Sequence, residues 1–540
     1  MRRVSFETRL LFPWLGAAFL LLAACQSDNA TSTPAATGGA SARGGASGSG
    51  GTVSAGGAQG TGGGATGGAL GAGGVMASGG VASGGAVTSG GATGLGGATG
   101  LGGAVATGGT VTRADAGDDA GRTDADASRD AQAPDSGRDA VAAGEVGAPA
   151  NTCVGPAAAR LDNASLPPGY CAWIWASGLE APRGITRNAN GDLLVVEQSA
   201  NRITLLHDDN GNGISEGNER VVLTTTDGLN HGIAINGGYL YASRATTVYR
   251  WPYSGGRQPL GAAQVVVSGI PAGGYSTRTL LFDREGRLYV AIGSGSNVDA
   301  NSNRARVIRY PAAALGGAST FAQGEVFADG LRNEVGLALD GQGRVWGVEN
   351  GRDNLIRADL GGDIHNDNPA EELNLFAQPG RFYGYPYCWS EFRLTNGRGP
   401  GAQWADPTFM NDGTHNDAWC RNTANVVAPV LSMQAHSAPL DIKFYGGGAF
   451  PSDMTGSAIV SYHGSWNRNP ATGYKVVRIP FGADGMPSGE ETPLLEYAGA
   501  GDTGGAWPHR PVGIESGADG RLFVTSDASG VVIAIGYRPS

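Results

Sequence analysis

Twelve consecutive residues, Asp208 to Glu219, have the composition and spacing of a calcium-binding loop. Their sequence fits the pattern D-x-N-x-N-G-x5-E, which places oxygen ligands at alternate positions, a glycine at the sharp turn and a carboxylate at the end. An Asn/Gly-rich hairpin turn is the alternative, because the loop lies between two predicted strands and its apolar residue falls at the seventh position rather than the eighth. We expect a structural Ca²⁺ of modest affinity, bound by Asp208, Asn210, Asn212 and Glu219.

Polar residues, most of them arginine or histidine, form a second group that could do chemistry, because they recur immediately before predicted strands. A concave pocket that gathers such residues suits a small polyanion, since guanidinium groups bind anionic oxygens in pairs. The alternative is that several of them cap strand ends or bind backbone carbonyls. The recurring positions are Arg183, Asn230, His231, Tyr275, Thr277, Arg278, Arg332, Asn333, His436, His509 and Arg510.

The elements that must position these residues form a repeat. Gly330 to Asp353 contains two short alternating strands around a turn at Asp340-Gly-Gln-Gly, and the sequence holds six copies of this unit. Four strands per unit, with early spacings of about 45 to 50 residues, are typical of propeller blades. We therefore predict an all-β fold, a six-bladed β-propeller, in which the segment from Ala172 to Ser177 completes the last blade. A β-sandwich, the alternative, does not explain a turn that recurs at one place in each unit.

The N-terminal region predicts export. Residues 1–25 have a basic start, an apolar run and the lipobox Leu22-Ala-Ala-Cys25, which indicate a lipoprotein signal peptide with lipidation at Cys25. A transmembrane anchor is the alternative, but the apolar run is short. Residues 26–149 are Gly- and Ala-rich and predict a disordered linker, which leaves residues 150–540 for the propeller. We expect a bacterial cell-envelope lipoprotein, at the outer membrane or cell surface, held by its lipid anchor only.

The other four cysteines are predicted to form two local disulfides, Cys153 with Cys171 and Cys388 with Cys420, because an exported chain meets an oxidising environment. Zinc is the alternative, but no pair has CxxC spacing. The formal net charge of −11 argues against nucleic acid as a partner. A monomer is expected.

Five segments resemble one known family, the sorbosone dehydrogenase branch of the soluble quinoprotein sugar dehydrogenases. The resemblance covers the chain from about Tyr170 onward and is most specific in its last segment, where an aromatic residue and an Asn have no role in a generic blade turn. The segments are Gly269 to Asn297, Gly330 to Asn333, Phe382 to Cys388, Ala435 to Leu440, and His463 to Arg478.

The resemblance implies that the propeller binds pyrroloquinoline quinone (PQQ) and Ca²⁺ at the channel mouth. It also implies oxidation of a sugar by hydride transfer to the quinone, with electrons passed to an acceptor in the cell envelope. A tricarboxylate quinone needs guanidinium partners, and a hard cation beside its oxygens polarises the accepting carbonyl. By position, the carbonyls of Gly351 and Arg352 would hold the Ca²⁺. The residues that would contact the cofactor are Arg332, Asn333, Arg510, Arg278 and, within one residue of alignment, His463.

Tyr275 departs from the family, in which a His at this position removes the sugar hydroxyl proton. A phenol has a reference pKa near 10 and is a poor base unless a neighbouring cation such as Arg278 lowers that pKa. The predicted substitutes are His231, His436 or His509 from other blades. Without a base, turnover falls by about 10² to 10⁴-fold, so a propeller that binds without turnover is the alternative. A lesser alternative is a Ca²⁺-dependent lactonase, with inward oxygen ligands from Glu197, Asn333 and Glu349.

Overall fold

The computed structural model describes residues 150–301, 303–499 and 506–539. Within these ranges the secondary structure is almost entirely strand, and the α-helix Asp417–Cys420 is a single turn. Cys25, the predicted signal peptide and the predicted linker lie outside the described residues and stay predictions. Across the same ranges, none of the helices is both long enough and apolar enough to cross a membrane.

The strands are short, and many are apolar on both faces because each blade packs between two others. In β4, for example, all five residues are buried. The first strands in chain order are β1 (Ala164–Ser165), β2 (Tyr170–Ala176), β3 (Pro182–Arg187), β4 (Leu193–Glu197), β5 (Arg202–Leu206), β6 (Arg220–Thr225), β7 (Leu229–Asn236), β8 (Tyr239–Arg244), β9 (Thr247–Pro252), β10 (Gln264–Ser268), β11 (Leu280–Phe282), β12 (Leu288–Ile292), β13 (Arg306–Tyr310), β14 (Ser319–Thr320) and β15 (Glu325–Asp329).

The second half of the propeller continues the same pattern, with insertions on both sides of the third strand of its first blade. Its strands are β16 (Glu334–Leu339), β17 (Val345–Glu349), β18 (Ile356–Arg357), β19 (Gly362–Asp363), β20 (Glu371–Leu375), β21 (Arg381–Phe382), β22 (Cys388–Ser390), β23 (Gln403–Ala405), β24 (Leu431–Met433), β25 (Pro439–Phe444), β26 (Ala458–Tyr462), β27 (Lys475–Ile479), β28 (Thr492–Tyr497), β29 (Pro511–Ser516), β30 (Leu522–Ser526) and β31 (Val531–Tyr537). Short 3₁₀ helices cover Ala157–Ala159, Gly217–Glu219, Ala312–Gly316, Phe321–Gln323, Ala358–Leu360 and Ser452–Met454.

Six sheets of four or five strands form the blades, which confirms the predicted six-bladed propeller. Two further sheets lie in the two insertions, β18-β19 before β20 and β22-β23 after it. The blade orders are β3-β4-β5-β6, β14-β10-β9-β8-β7, β11-β12-β13-β15-β21, β16-β17-β20-β24, β1-β28-β27-β26-β25 and β2-β31-β30-β29.

Both ends of the chain close the ring. Strand β2 pairs antiparallel with β31, so the N-terminal strand completes the last blade as the sequence predicts. Strand β1 also adds to the fifth blade by pairing with β28, which the sequence analysis did not predict. Closure leaves fewer exposed sheet edges and joins residues far apart in the chain.

The six innermost strands, β3, β7, β11, β16, β25 and β29, contact one another in order around the channel. Glycines in four of them allow this close approach. A Cβ on Gly232 would collide with the carbonyl oxygen of Arg278, and a Cβ on Gly513 would lie 2.5 Å from the carbonyl oxygen of Arg183. A Cβ on Gly184 would collide with the carbonyl oxygen of His231, and a Cβ on Gly336 would lie 2.8 Å from the Cα of Asp441 in the next blade. The recurring X-Gly-Ile/Leu pattern therefore sets the diameter of the ring.

Both predicted disulfides are present. Cys153–Cys171 joins the N-terminal segment to β2, and Cys388–Cys420 closes the insertion between β20 and β24, the last two strands of the fourth blade. Each is local in sequence, as predicted. By loop-closure entropy, each is worth about 3 to 4 kcal/mol at most.

Candidate active site at the channel mouth

A polar cavity of about 360 Å³ opens where the innermost strands begin. Val335 and Leu440 form part of its apolar wall, and they pack with the buried Val512 between the inner strands of three blades. The charged and hydrogen-bonding side chains around it come from separate blades, as expected for strand starts that converge. They include Arg183, Tyr275, Thr277, Arg332, Asn333, Asp353, Glu371, His436, His463 and Arg510.

Arg332 organises one side of this cavity. Its Nη1 donates to the carbonyl oxygens of Gly351 at 2.5 Å and Asn350 at 3.2 Å, and its Nε donates to the carbonyl of Asn297 at 3.2 Å. Its Nη2 donates to the Tyr275 hydroxyl, the Asn297 side chain and Asp353, the last at 2.8 Å. All five guanidinium protons therefore have protein acceptors, and Arg332 holds the walls of the site in place.

Tyr275 presents its phenol to the cavity beside this guanidinium, whose carbon lies 4.6 Å from the ring centroid. Burial raises the pKa of the Tyr275 phenol, and the Arg332 charge does not reverse that effect. The hydroxyl oxygen accepts from Arg332, so its own proton is free to be donated. Tyr275 is thus suited to donate a hydrogen bond and unsuited to act as a base.

His436 and Asp353 form a pair in the cavity wall next to Arg332, which also donates to Asp353. The ring Nδ1 of His436 lies 3.7 Å from an oxygen of Asp353, and its Nε2 lies 2.5 Å from the carbonyl oxygen of His365. Burial opposes a charge on this ring, but Asp353 and Glu371 outweigh burial and raise the pKa of His436. Because a carbonyl only accepts, Nε2 must carry a proton. The backbone φ of 60° at His436 is unusual for a residue other than glycine and marks local strain.

Glu371 lies at the same wall with both oxygens engaged. They accept from the backbone N–H groups of Gly351 at 2.7 Å and Ala438 at 2.9 Å. Burial raises the pKa of Glu371 to about 7, although these N–H groups and His436 oppose the shift. The carboxyl group therefore fixes the Gly351 segment against the fifth blade.

His463 belongs to a second charged group, on the side of the fifth and sixth blades. Its Nε2 lies 2.8 Å from one oxygen of Asp527, and the other oxygen of Asp527 accepts from Arg183 at 2.6 Å. Arg510 donates to the carbonyl oxygens of His463 at 3.0 Å and Gly464 at 2.6 Å. Burial opposes ionisation of Asp527, but hydrogen bonding from His463 and the charges of Arg183 and Arg510 hold the pKa of Asp527 below its usual value.

Several predicted site residues lie outside this cavity. The guanidinium of Arg278 is fully buried and donates to backbone carbonyls, including those of Tyr275, Thr277 and Pro271, so it shapes the loop that carries Tyr275. His231 is buried away from the cavity, and burial lowers its pKa to about 3. His509 lies 2.8 Å from the Ser529 hydroxyl through its Nδ1.

The predicted calcium loop connects β5 to β6 and does not contribute to the cavity. Its side chains fold inward onto the loop backbone. Asp208 accepts from the N–H groups of Asn212 at 3.1 Å and Gly213 at 3.0 Å, while Glu219 accepts from Asp209 at 2.9 Å and Asn210 at 3.2 Å. In the described part of the chain, no group of three His, Cys, Asp or Glu side chains is arranged to hold a metal. The calcium loop stays a prediction.

Asp353, Glu371 and Asp527 are the functional residues that the sequence analysis missed. The predicted site residues precede the first strand of each repeat, whereas two of these three follow the second strand. Asp527 comes directly after β30, and Asp353 comes shortly after β17. A search for polar residues at the ends of the second strands would have found both.

Comparison with known proteins agrees with this geometry. A sequence model described as TrAA12-like matches residues 164–538. The chain belongs to this family. A pyrroloquinoline quinone-dependent pyranose dehydrogenase from Coprinopsis cinerea is 35% identical over 396 residues, covering 66% of this chain and 52% of that protein. The TrAA12-like chain thus spans about half the length of this relative.

Other relatives match this TrAA12-like chain over most of their own length. A pyrroloquinoline quinone-dependent sugar dehydrogenase from Hypocrea jecorina is 31% identical, covering 67% of this chain and 86% of that protein. The calcium structure of the Trichoderma reesei family AA12 enzyme has a TM-score of 0.62 at 30% identity, covering 70% of this chain and 97% of that one. The holo PQQ domain of the Coprinopsis cinerea pyranose dehydrogenase has a TM-score of 0.61 at 30% identity, covering 71% and 98%. The predicted family is confirmed.

Proposed function

We propose that this chain is a PQQ-dependent dehydrogenase that oxidises a pyranose or a related sugar at the channel mouth. The observation that carries the proposal is the convergence of Arg183, Arg332 and Arg510 on one cavity, in a chain whose relatives bear the names of PQQ-dependent sugar dehydrogenases. Bound PQQ would supply the hydride acceptor. The residues of this chain bind and orient the reactants and move the proton.

The donor set of the cavity fits a tricarboxylate cofactor. In the described ranges, Nη1 of Arg510 has no protein acceptor, and Nε and Nη2 of Arg183 have none either, so these atoms are free for carboxylates. Charge-assisted bonds to such groups are worth about 1.5 to 3 kcal/mol each. Arg332 has no free proton and instead fixes the cavity wall. We therefore assign direct carboxylate contacts to Arg183 and Arg510, with Arg332 as organiser.

Ca²⁺ is part of the proposal, at the carbonyls of Gly351 and Arg352. The Gly351 carbonyl accepts one bond from Arg332 and keeps its second lone pair, and Asp353 beside it supplies negative charge. The Arg352 side chain pairs with Asp406 at 2.5 Å and so does not point its charge at a cation beside its own carbonyl. Carbonyl oxygens and a nearby carboxylate are the donors that Ca²⁺ prefers.

A sugar substrate is supported by Trp466, which lines the cavity with 74% of its surface exposed. Its loop is well held, because Thr472 and Ser465 bond across it and Arg468 donates to the carbonyl of Asn366 at 2.5 Å. A large apolar side chain kept in solvent at the rim of a polar cavity marks a binding surface. The indole offers a flat apolar face on which the C–H face of a pyranose can stack.

A propeller that binds without turnover is the second candidate, and the observation that favours it is Tyr275. Burial keeps this phenol protonated at neutral pH.

The lactonase alternative has less support. Glu197 is bound by Arg202 at 2.8 Å and by the Glu180 N–H at 2.7 Å, and neither it nor Glu349 lines the cavity.

We also propose that Cys25 is lipidated and that residues 26–149 tether the propeller to the cell envelope, as the lipobox and the Gly-rich composition indicate. A tethered dehydrogenase needs an electron acceptor in the same compartment. We expect no nucleic acid partner and a monomeric chain.

The assignment of Arg510 is tested by cofactor titration. Arg510→Gln removes a guanidinium with a free donor, so PQQ affinity measured by the quinone absorbance with Ca²⁺ present should fall by about 10 to 100-fold. Arg309→Gln is the matched control, because Arg309 pairs with Glu325 on β15 away from the cavity, and its affinity should equal that of the wild type. Equal PQQ affinity in both variants would contradict the assignment.

A further inference from the structure

Oxidation of a sugar CH–OH group removes one hydrogen from carbon as a hydride and one from oxygen as a proton. If the proposed function holds, the C–H hydrogen leaves as hydride to an ortho-quinone, and the O–H proton must pass to a base on the protein as the C=O bond forms. The electron pair of the C–H bond reduces the quinone, and the O–H pair becomes the second carbonyl bond. The chain therefore needs a proton acceptor at the cavity, and Tyr275 holds its own proton too tightly to be that group.

The predicted substitutes do not meet this requirement. His436 donates Nε2–H toward the carbonyl oxygens of His365 and Asn368, and its other ring nitrogen faces Asp353. His231 and His509 do not line the cavity. Glu371 does line it, but the backbone N–H groups of Gly351 and Ala438 each donate to one of its oxygens and tie the carboxyl group to the wall.

His463 has the required geometry. It lines the cavity, and Asp527 engages Nε2 at 2.8 Å, which fixes the ring with an Nε2–H donor and a lone pair at Nδ1. Asp527 is itself held by Arg183 at 2.6 Å, and Arg510 holds the His463 carbonyl. Among the described residues, Nδ1 of His463 has no hydrogen-bond partner. It is also absent from the fully buried unpaired atoms, so a substrate in the cavity can reach it. A carboxylate that orients a histidine in this way also stabilises the imidazolium that forms when the ring takes a proton.

We propose that His463, oriented by Asp527, is the catalytic base of this chain and accepts the sugar hydroxyl proton at Nδ1. The charged groups that face it are Asp527, which favours the imidazolium, and Arg183 and Arg510, which oppose it. Burial, with these two arginines, lowers the pKa of His463, so the ring is neutral and able to accept a proton at neutral pH. The base has thus moved from the third blade, where Tyr275 stands, to the end of the fifth blade's second strand.

The test uses the full-length chain loaded with PQQ and Ca²⁺ and compares His463→Gln with Asp527→Asn. Rapid mixing with a pyranose gives the rate of quinone reduction as a function of pH. In the wild type this rate should rise with pH through the pKa of a neutral base and reach a plateau near neutrality. His463→Gln should lower the plateau by about 10² to 10⁴-fold and remove the acidic limb, which is the rise of the rate at low pH. Added imidazole should restore part of the rate of this variant. Asp527→Asn should lower the rate and shift the acidic limb to a different pH.

Two readouts are independent of turnover. The ¹⁵N resonances of His463 should titrate with the same pKa as the acidic limb, and PQQ affinity by absorbance should change far less than the rate. His207→Gln, at the end of β5 and outside the cavity, is the control and should match the wild type. If His463→Gln fails to fold, Asp527→Asn and the resonance titration still decide.

The outcomes distinguish failure of the proposed function from failure of the assignment of His463 as the base. A wild-type chain that binds no PQQ, or whose quinone no sugar reduces, overturns the proposed function and this inference with it. A wild-type chain that reduces the quinone while His463→Gln keeps both the rate and the acidic limb overturns this inference alone. Loss of the limb in Tyr275→Phe but not in His463→Gln would assign the proton to the phenol and also overturn it.

Discussion

At the scale of single residues, different arginines hold the cavity wall and offer free hydrogen-bond donors to a ligand. Arg332 uses every proton to hold Tyr275, Asp353 and the Gly351 carbonyl, while Arg183 and Arg510 keep free donors. Position in the sequence predicted that these arginines converge. It could not show which of them would have spare protons, because that depends on neighbours such as Asn297 and Asp353 that come from distant loops.

Tyr275 illustrates both the strength and the limit of reasoning from sequence. Its departure from the family and its poor suitability as a base were visible from residue type alone. Arg278 was the nearby cation that could have lowered the pKa of the phenol, but in the structure Arg278 donates to backbone carbonyls, and burial raises that pKa. Burial and side-chain direction are properties of the packed fold, so the sequence predicted the residue and not its state.

Trp466 gives a prediction about substrate affinity. Trp466→Ala should raise KM for a pyranose by about 3 to 10-fold, because an aromatic stacking surface worth about 0.5 to 1.5 kcal/mol is lost. PQQ affinity and Tm should not change, since the side chain is exposed. Steady-state kinetics checks this, with Trp466→Phe as a variant that retains a stacking face. A KM for the alanine variant equal to that of the wild type would show that the indole does not touch the sugar.

At the scale of elements, the first two strands of each repeat and the turn between them were predictable because period-two alternation and Gly-containing turns are local signals. The added strand β1 and the insertion hairpin β22-β23 were not, since their pairing depends on partners far away in sequence or inside an irregular loop. Likewise, both disulfides were predictable from their local spacing, but the fold of the segment that Cys388–Cys420 closes was not.

The inner-strand glycines yield a prediction about stability. Gly232→Ala should lower the free energy of unfolding by about 2 to 4 kcal/mol, because its Cβ would meet the Arg278 carbonyl oxygen on the neighbouring inner strand. Gly261→Ala is a suitable control, since nothing lies within 4 Å of a Cβ there. Thermal unfolding of both variants measures the difference. A Gly232→Ala variant as stable as the control would mean that the inner strands adjust freely.

The loop from Asp208 to Glu219 gives a second prediction at this scale. Loop-bound Ca²⁺ would stabilise the first blade, so adding Ca²⁺ to metal-free protein should raise Tm, and Asp208→Asn with Glu219→Gln should reduce that rise. The ligand oxygens now accept backbone N–H groups, which organises the loop before any cation binds. The remaining shift in the double variant reports Ca²⁺ at the channel mouth. An identical Tm response in both proteins would assign this loop as a turn only.

At the scale of the whole molecule, the propeller places strand starts from five of its six blades around one opening, so residues separated by more than 300 positions, such as Arg183 and Asp527, become neighbours. The repeat predicted this convergence, and closure of the ring by β2 makes it possible. The proposed tether would add a different kind of function, because it would fix the compartment in which the site works.

The tether can be tested apart from catalysis. If Cys25 carries the lipid anchor, Cys25→Ala should move the protein from the membrane fraction to the soluble fraction while its PQQ affinity stays the same. Cell fractionation and mass spectrometry of the mature N-terminus measure both the location and the acylation. Ser27→Ala, next to the site but without a thiol, is the control. A Cys25→Ala variant that stays in the membrane fraction would contradict lipid anchoring.

We propose above all that this cavity holds PQQ and uses it to oxidise a sugar. The most direct measurement is anaerobic mixing of the PQQ- and Ca²⁺-loaded chain with a panel of pyranoses while the quinone absorbance is followed. We expect that at least one pyranose reduces the bound quinone stoichiometrically and that an artificial electron acceptor restores the oxidised spectrum. A chain that binds PQQ through its arginines but whose quinone no sugar reduces would contradict the dehydrogenase function and would be a propeller that only binds.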